Sequence, residues 1–344
     1  MNNIDLTYVP FTLQLNEHII TSNAVIRERK GFIVKLKRNK YVGYGEVTPL
    51  PEFGSESFEQ DEKAIKNFNF NLQIKPNNFI QSLDSNLQDF SHLPAFRHGI
   101  EQALLNLFCS EANISLNEVL NCSSKNSIKV NGIIGILKPE ETVTKALELV
   151  KSGFSTIKLK VGRNDFDEDF ECLSATRAAL GNDIRIRIDV NGKWEAKEAI
   201  INSNRLMDLN LEFIEQPVNN FLSFKKLSFK TNIPLSVDES VRNFDDAIKF
   251  IESNSIKAIV LKPMLLGGII NTLRIIEAAE KQHLKVIISS SFETSLGRSL
   301  AIFAASTVKG EIAHGLDTAR FLRSDLYKNP YPVINGKISL TTNK

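Results

Sequence analysis

The stretch Thr156-Ile157-Lys158-Leu159-Lys160-Val161 decides how the rest of the chain is read. Side chains alternate faces along a strand, so Lys158 and Lys160 share one face while Ile157, Leu159 and Val161 take the other. Two settings explain such a strand. At a sheet edge, a solvated lysine face deters aggregation. In a closed barrel, the apolar face meets the surrounding helices and the lysines point into the mouth. The flanking sequence favours the barrel. Short apolar segments recur at Ile128–Ile134, Ile184–Val190, Leu211–Glu215, Leu235–Asp238, Ala258–Lys262, Val286–Ser290 and Ile312–His314, with helix-length spacers between them. Their ends fall 23 to 29 positions apart, the size of a strand–helix unit. Eight such units are what a (β/α)8 barrel needs. An open doubly wound sheet is the alternative, but no Gly-rich dinucleotide loop follows the first segment. Closure is inferred, and an interior barrel strand has no solvated face.

Outside the repeat the pattern changes. Residues 1–124 open with strand-like segments at Asn23–Arg27, Gly31–Leu36 and Tyr41–Val47, broken by Pro49, Pro51 and Gly54. Helical spacing follows at Ser57–Asn67 and Ala95–Ser110. Strands first and helices after describe a small α+β domain. Residues 125–315 carry the barrel repeat. Residues 316–344 form a tail whose Lys337–Leu340 reads as a strand able to return to the N-terminal sheet. The fold expected is therefore α/β: a C-terminal (β/α)8-type barrel and an N-terminal α+β domain completed by the tail.

Composition narrows the function. Of 344 residues, 42% are hydrophobic and 24% charged, ordinary for a globular protein. The formal net charge is +2, which calls for neither nucleic acid nor an anionic membrane as partner. Three scattered cysteines argue against a disulfide framework and fit a reducing cytoplasm. No signal-peptide pattern opens the chain, and the apolar run Ala258–Ile270 is interrupted by Lys262 and Pro263.

In a (β/α)8 barrel, chemistry sits at the C-terminal strand ends. There the sequence places Lys158 and Lys160, then Asp189, Glu215 and Asp238 on three consecutive strands, then Lys262. A single Asp at a strand end is often a helix N-cap. Three carboxylates in register would repel one another, and a hard divalent cation resolves this. Mg2+ prefers oxygen ligands, with Mn2+ as a candidate substitute; zinc is disfavoured because no His or Cys stands there. Lysines flanking such an ion suit removal of a weakly acidic proton beside a substrate carboxylate, the metal stabilising the enediolate. The partner expected is a small-molecule carboxylate.

This constellation resembles the enolase superfamily, in particular its muconate-lactonizing-enzyme subgroup, over essentially the whole chain. The resemblance implies an N-terminal capping domain over a catalytic barrel. Within it, Gly45–Pro51 (GEVTPLP), Leu261–Gly268 (LKPMLLGG) and Ser289–Gly297 (SSSFETSLG) are similar to the o-succinylbenzoate synthase family. That family implies Mg2+-dependent syn dehydration of 2-succinyl-6-hydroxy-2,4-cyclohexadiene-1-carboxylate in menaquinone biosynthesis. By similarity, Lys160 takes the proton and its conjugate acid assists departure of the hydroxyl. Lys262 stays protonated over the ring. Lys158 holds the carboxylate and lowers the pKa of Lys160.

Further residues carry weaker expectations. Arg187 and Asn191 neighbour the first ligand and would order it, or Arg187 makes a structural ion pair. Glu239 would pair with a lysine. Gly267 and Gly268 would offer backbone N–H groups to a substrate carboxylate, or simply make a tight turn. Ser290 and Ser291 would bind the succinyl carboxylate, or cap a helix. Glu46 and Pro49–Glu52 would lie in a capping loop. His314 with Asp317 suggests a base pair, though a strand-end His is more often structural, and Asp317 keeps open a dipeptide epimerase. Two readings compete with the synthase: a dipeptide epimerase or N-acylamino-acid racemase using Lys160 and Lys262 on opposite faces, and a non-catalytic barrel. A homo-oligomer is compatible with all of them.

Overall fold

The structure is a computed structural model and describes residues 4–20, 25–68 and 78–340. Strands β1 (Asp5–Ile20), β2 (Val25–Arg38) and β3 (Tyr41–Val47) form an antiparallel sheet in that order. The two segments expected within 23–36 belong to one long β2. Asn23 and Ala24 of the first lie outside the described residues. β1 has no counterpart in the sequence reading, because Pro10 and its run of polar residues mask a strand. Pro10 is tolerated there because β1 is an edge.

The sheet packs on α3 (Pro94–Ala112), preceded by α1 (Phe58–Asn67) and α2 (Phe79–Leu87) and followed by α4 (Leu116–Leu120). Ser57 caps α1, with Gln60 closing a capping box. The glycines of β3 exist for contact with α3. A Cβ on Gly43 would lie 2.0 Å from the Ala103 carbonyl oxygen, and one on Gly45 1.9 Å from that of Gly99. No side chain larger than hydrogen fits this approach.

The expected segment 128–134 splits at Asn131 into β4 (Ser127–Val130) and β5 (Gly132–Ile134). Then follow α5 (Pro139–Lys151), β6 (Thr156–Lys160), α6 (Phe166–Leu180), β7 (Arg185–Asp189), α7 (Ala196–Arg205), β8 (Leu211–Glu215), α8 (Phe221–Ser228) and β9 (Leu235–Val237). The series continues with α9 (Phe244–Glu252), β10 (Ala258–Leu261), α10 (Ile269–Lys281), β11 (Lys285–Ile288), α11 (Ser295–Thr307) and β12 (Ala313–His314). β5 through β11 form one parallel sheet in sequence order. The ring closes through β12. Gly315 N–H donates to the Ile288 carbonyl at 2.8 Å, β12 pairs in parallel with β4, and Asn131 N–H donates to the His314 carbonyl at 2.9 Å. β6 is paired on both sides, so the edge-strand reading of its lysines does not hold.

The eighth unit differs from the other seven. Among the described residues, β12 is followed by a 3-10 turn at Ala319–Phe321 rather than an α-helix. The tail then forms β13 (Val333–Ile334) and β14 (Lys337–Ser339). The tail meets the N-terminal sheet at Leu322, which bridges Leu15, and at Arg323, whose N–H donates to the Gln14 carbonyl at 2.9 Å. Its strand does not join that sheet: β14 pairs antiparallel with β4, on the edge that β12 leaves open.

One apolar cluster runs through both halves, from Phe32 and Phe96 to Ile188, Leu261 and Ile288. Each fully buried side chain of this size contributes about 1.5–3 kcal/mol. Among the described residues no helix is long and apolar enough to cross a membrane.

Candidate active site

The ends of β6 to β10 bring the sequence-predicted lysines and carboxylates together. Ile157 and Leu159 are buried toward the helices, which turns Lys158 and Lys160 to the barrel axis. Lys158 Nζ lies 3.0 Å from Asp189 Oδ2 and 2.8 Å from Glu215 Oε1. Lys160 Nζ donates to the same Asp189 oxygen at 2.8 Å and to Asn191 Oδ1 at 2.5 Å. Opposite them, Lys262 pairs with Asp238.

The electrostatics follow from burial and proximity. Burial opposes charge on Lys158, but Asp189, Glu215 and Asp238 outweigh it and hold its pKa above the ordinary value. Burial likewise opposes charge on Asp189, and the two ammonium groups overcome it, holding the carboxyl below the usual range. Burial, with the charges of Asp189 and Asp238, pushes Glu215 up to about 8 despite Lys158.

Among the described residues no three acidic, His or Cys groups stand as a ready metal cluster. Lys158 lies between Asp189 and Glu215, and Lys262 holds Asp238. The donor set nevertheless fits a hard cation. It is all carboxylate oxygen, and burial together with the charges of Asp189 and Asp238 raises Glu215, a cost that a divalent ion relieves.

Two supports were expected near the first ligand, and the structure separates them. Asn191 accepts from Lys160 and donates to Glu239 Oε1 at 2.5 Å, so Glu239 reaches the lysine only through Asn191. Burial, then Asp238 and Asp189, push Glu239 up to about 7. Arg187 touches none of the three carboxylates. It donates to Glu212 at 2.7 Å and to the Ala313 carbonyl at 2.8 Å, and lies over the Phe213 ring. Its place in the strand points it inward below Asp189, where it ties β7 to β12. Gln216, passed over in the sequence, positions Asp238: its Oε1 accepts from Asp238 N–H at 2.9 Å and Ser240 N–H at 3.2 Å. Its φ of 40° is rare for a non-glycine residue and marks the position as constrained.

Lys158, Lys160, Asp189, Asn191, Asp238 and Lys262 open into a cavity of about 730 Å3, lined also by Phe53, Ser289, Ser290, Phe292, Thr318, Arg320 and Phe321. Phe53 directly follows the expected capping loop Pro49–Glu52, and Lys262 Nζ lies 5.3 Å from its ring centroid. Two buried charges seat this loop. Arg29 donates to the Thr48 carbonyl at 2.7 Å and the Pro49 carbonyl at 2.8 Å. Glu46 accepts from Thr48 Oγ1 at 2.7 Å, Thr294 N–H at 3.0 Å and Gly297 N–H at 2.8 Å, joining the loop to the start of α11.

Some expected substrate contacts lie elsewhere. Gly267 and Gly268 do not line the cavity. The N–H groups of Ile269 and Ile270 that follow them are taken by Glu101 of α3, at 2.5 and 3.2 Å, and Arg97 holds the Gly267 carbonyl. Helix α10 thus spends its N-terminal donors on the capping domain. Ser290 lines the cavity and bonds Thr318 Oγ1 at 2.5 Å, whereas Ser291 does not line it. The Ser291 hydroxyl is buried and unpartnered among the described residues. His314 Nδ1 accepts from Ile288 N–H at 3.0 Å, and burial lowers its pKa to about 3. It is a neutral structural group and forms no base pair with Asp317, which pairs with Arg320 at 3.3 Å. Phe53 and Arg320 carried no sequence signal as individuals, since each needs the folded mouth to define its neighbours.

The family model described as enolase C-terminal domain-like matches residues 141–344, more than half the chain. The chain belongs to the enolase superfamily. A second model, described as the MenC N-terminal domain, matches residues 5–107. This member of the enolase superfamily is 27% identical over 310 residues to the L-Ala-D/L-Glu epimerase of Bacillus subtilis (strain 168), covering 87% of this chain and 83% of that one. It is 32% identical over 215 residues to the o-succinylbenzoate synthase of Thermobifida fusca (strain YX), covering 62% and 66%. The dipeptide epimerase of Enterococcus faecalis V583, solved with Mg and L-Leu-L-Tyr, superposes with a TM-score of 0.88 at 25% identity, covering 99% and 98%. The chain is therefore an enzyme of a superfamily whose members are Mg2+-dependent.

Proposed function

We propose that this enzyme is an o-succinylbenzoate synthase, converting 2-succinyl-6-hydroxy-2,4-cyclohexadiene-1-carboxylate to 2-succinylbenzoate and water in menaquinone biosynthesis. The observation that carries the reading is the placement of Lys160 and Lys262 on opposite sides of one cavity above Asp189, Glu215 and Asp238. The MenC-type N-terminal domain supports it. Lys160, as the free amine, removes the ring proton next to the carboxylate, and the C–H electrons pass into the enediolate. Lys262 remains an ammonium and stabilises that charge. The C–O bond to the hydroxyl then breaks on the same face, the Lys160 ammonium returns the proton, water leaves, and the ring becomes aromatic. Asn191 holds Lys160 in place between the two transfers. Asp189, Glu215 and Asp238 would hold a divalent cation (Mg2+, with Mn2+ as a substitute), which would supply positive charge to stabilise the enediolate.

The second reading is a dipeptide epimerase or N-acylamino-acid racemase, favoured by the presence of a lysine on each face. One experiment separates the two. Purified protein is assayed for dehydration with Mg2+ and with EDTA, beside Lys160→Ala. Mg2+-dependent product that falls by at least about a thousandfold in the variant supports the synthase. No product from folded protein, with exchange of the α-hydrogen of dipeptides or N-acylamino acids in deuterated water, refutes it in favour of the second reading.

A further inference from the structure

The cavity has a polar wall that the proton-transfer chemistry does not use. After β12 the chain turns through Asp317, Thr318 and Arg320, and both Thr318 and Arg320 line the cavity. Arg320 is held from three sides. Its Nε lies 3.3 Å from Asp317 Oδ2, its Nη2 donates to the Ile133 carbonyl at 2.7 Å, and its guanidinium carbon lies 4.7 Å from the Phe321 ring centroid. Its Nη1 has no hydrogen-bond partner among the described residues. The capping domain fixes the same turn, because Asn16 Nδ2 donates to the Arg320 carbonyl at 2.8 Å and the Leu322 carbonyl at 3.2 Å.

This arrangement has a chemical direction. A guanidinium whose plane is already fixed presents its remaining donors without further loss of side-chain freedom, and a carboxylate is the group that matches its fork. Asp317 is turned to Arg320 and does not line the cavity, so this wall offers an incoming ammonium no carboxylate. Lys145 and Glu148, which reach the cavity from α5, add one charge of each sign and leave the balance with Arg320. The Ser290 and Thr318 hydroxyls line the same cavity and bond each other, which leaves one O–H donor between them.

We propose that Arg320 is the specificity residue for a second, remote carboxylate of the substrate. The enzyme thereby selects dianionic ligands whose first carboxylate sits at the lysine and carboxylate floor. This rests on the synthase reading for the identity of the substrate, where the second carboxylate is the succinyl end. The work expected of Ser290 and Ser291 thus passes chiefly to a residue of the tail.

The test is binding of 2-succinylbenzoate, and of its methyl ester at the succinyl carboxylate, measured by titration calorimetry in the presence of Mg2+. Wild type, Arg320→Ala and Arg320→Lys are compared. Arg320 is partly exposed, so the expected loss for the diacid in Arg320→Ala is about tenfold, with the ester unchanged and Arg320→Lys recovering part of the loss. Equal weakening of both ligands, or no weakening of either, overturns the proposal. Dehydration is measured in parallel to keep the two claims apart. A wild type that fails to dehydrate but distinguishes diacid from ester through Arg320 upholds this inference and sinks the synthase reading. A wild type that dehydrates while Arg320→Ala keeps its KM and its diacid affinity does the reverse.

Discussion

Gly268→Ala separates two roles for the start of α10, substrate binding and attachment of the capping domain. Gly268 has φ 126° and ψ −178°, a region open essentially to glycine alone. Forcing alanine into it costs about 1–3 kcal/mol. The new Cβ would also lie 2.2 Å from Glu101 Oε1. That carboxylate must move, giving up its bonds to the N–H groups of Ile269 and Ile270. It is fully buried and burial already pushes its pKa up to about 7, so no solvent replaces what it loses. Losing charge-assisted bonds in such a place costs about a further 1.5–3 kcal/mol. Together the two effects amount to about 2.5–6 kcal/mol. Gly181→Ala is the control: its φ is 67° and nothing lies within 4 Å of its Cβ, so it isolates the backbone contribution. Urea unfolding should show Gly268→Ala much less stable than Gly181→Ala, while KM of the folded fraction stays unchanged. A Gly268→Ala protein of near-normal stability with a raised KM would refute the reasoning and return these glycines to the substrate.

Two further perturbations test the carboxylates. Asp238→Asn should weaken Mg2+ binding at least about tenfold in a calorimetric titration; unchanged affinity removes Asp238 from the ligand set. Asp61 of α1 is fully buried, and burial together with the neighbouring Glu56 raises its pKa from 3.8 to about 10. The folded protein therefore keeps a proton that the unfolded chain releases. The resulting stability is fully present below about pH 4 and is lost as pH rises toward 10. Asp61→Asn should flatten the decline of melting temperature between about pH 5 and pH 9, and a variant with the wild-type slope would show that Asp61 is already ionised there.

The barrel was legible because its strands are fully buried and short, so they stand out as apolar runs at a fixed spacing. Leu211–Glu215 is read to the residue. The lysines and carboxylates were legible for the same reason: a charge inside such a run is costly to bury, and it persists only where a partner or a task holds it. β1 was not, because a half-solvated edge strand with Pro10 has no apolar run. For Arg187 and Gly267–Gly268 the sequence left two jobs open, and the structure shows the structural one of each, an ion pair with Glu212 and a tight turn, because both sit beside site residues in sequence but face different neighbours in space. Two residues back along β7 from Asp189, Arg187 reaches Glu212 and β12 rather than the cavity mouth. The start of α10 meets Glu101, from a helix 168 positions earlier. Arg320 escaped because its meaning depends on Asp317, Ile133 and Asn16 together.

The position of β4 has a consequence for how the protein is made. Its partners are β12 and β14, at 313–314 and 337–339. On a ribosome adding about 5–20 residues per second, the first barrel strand is made roughly ten to forty seconds before the last strand it needs. Until β12 and β14 are made, both edges of this Ser127–Val130 strand lack the partners they have in the fold, open to pairing with a neighbouring nascent copy. The sheet β1–β3 and helix α3 are complete well before then. The capping domain can therefore fold early, the barrel closes only after β12 is made, and β14 docks on β4 later still.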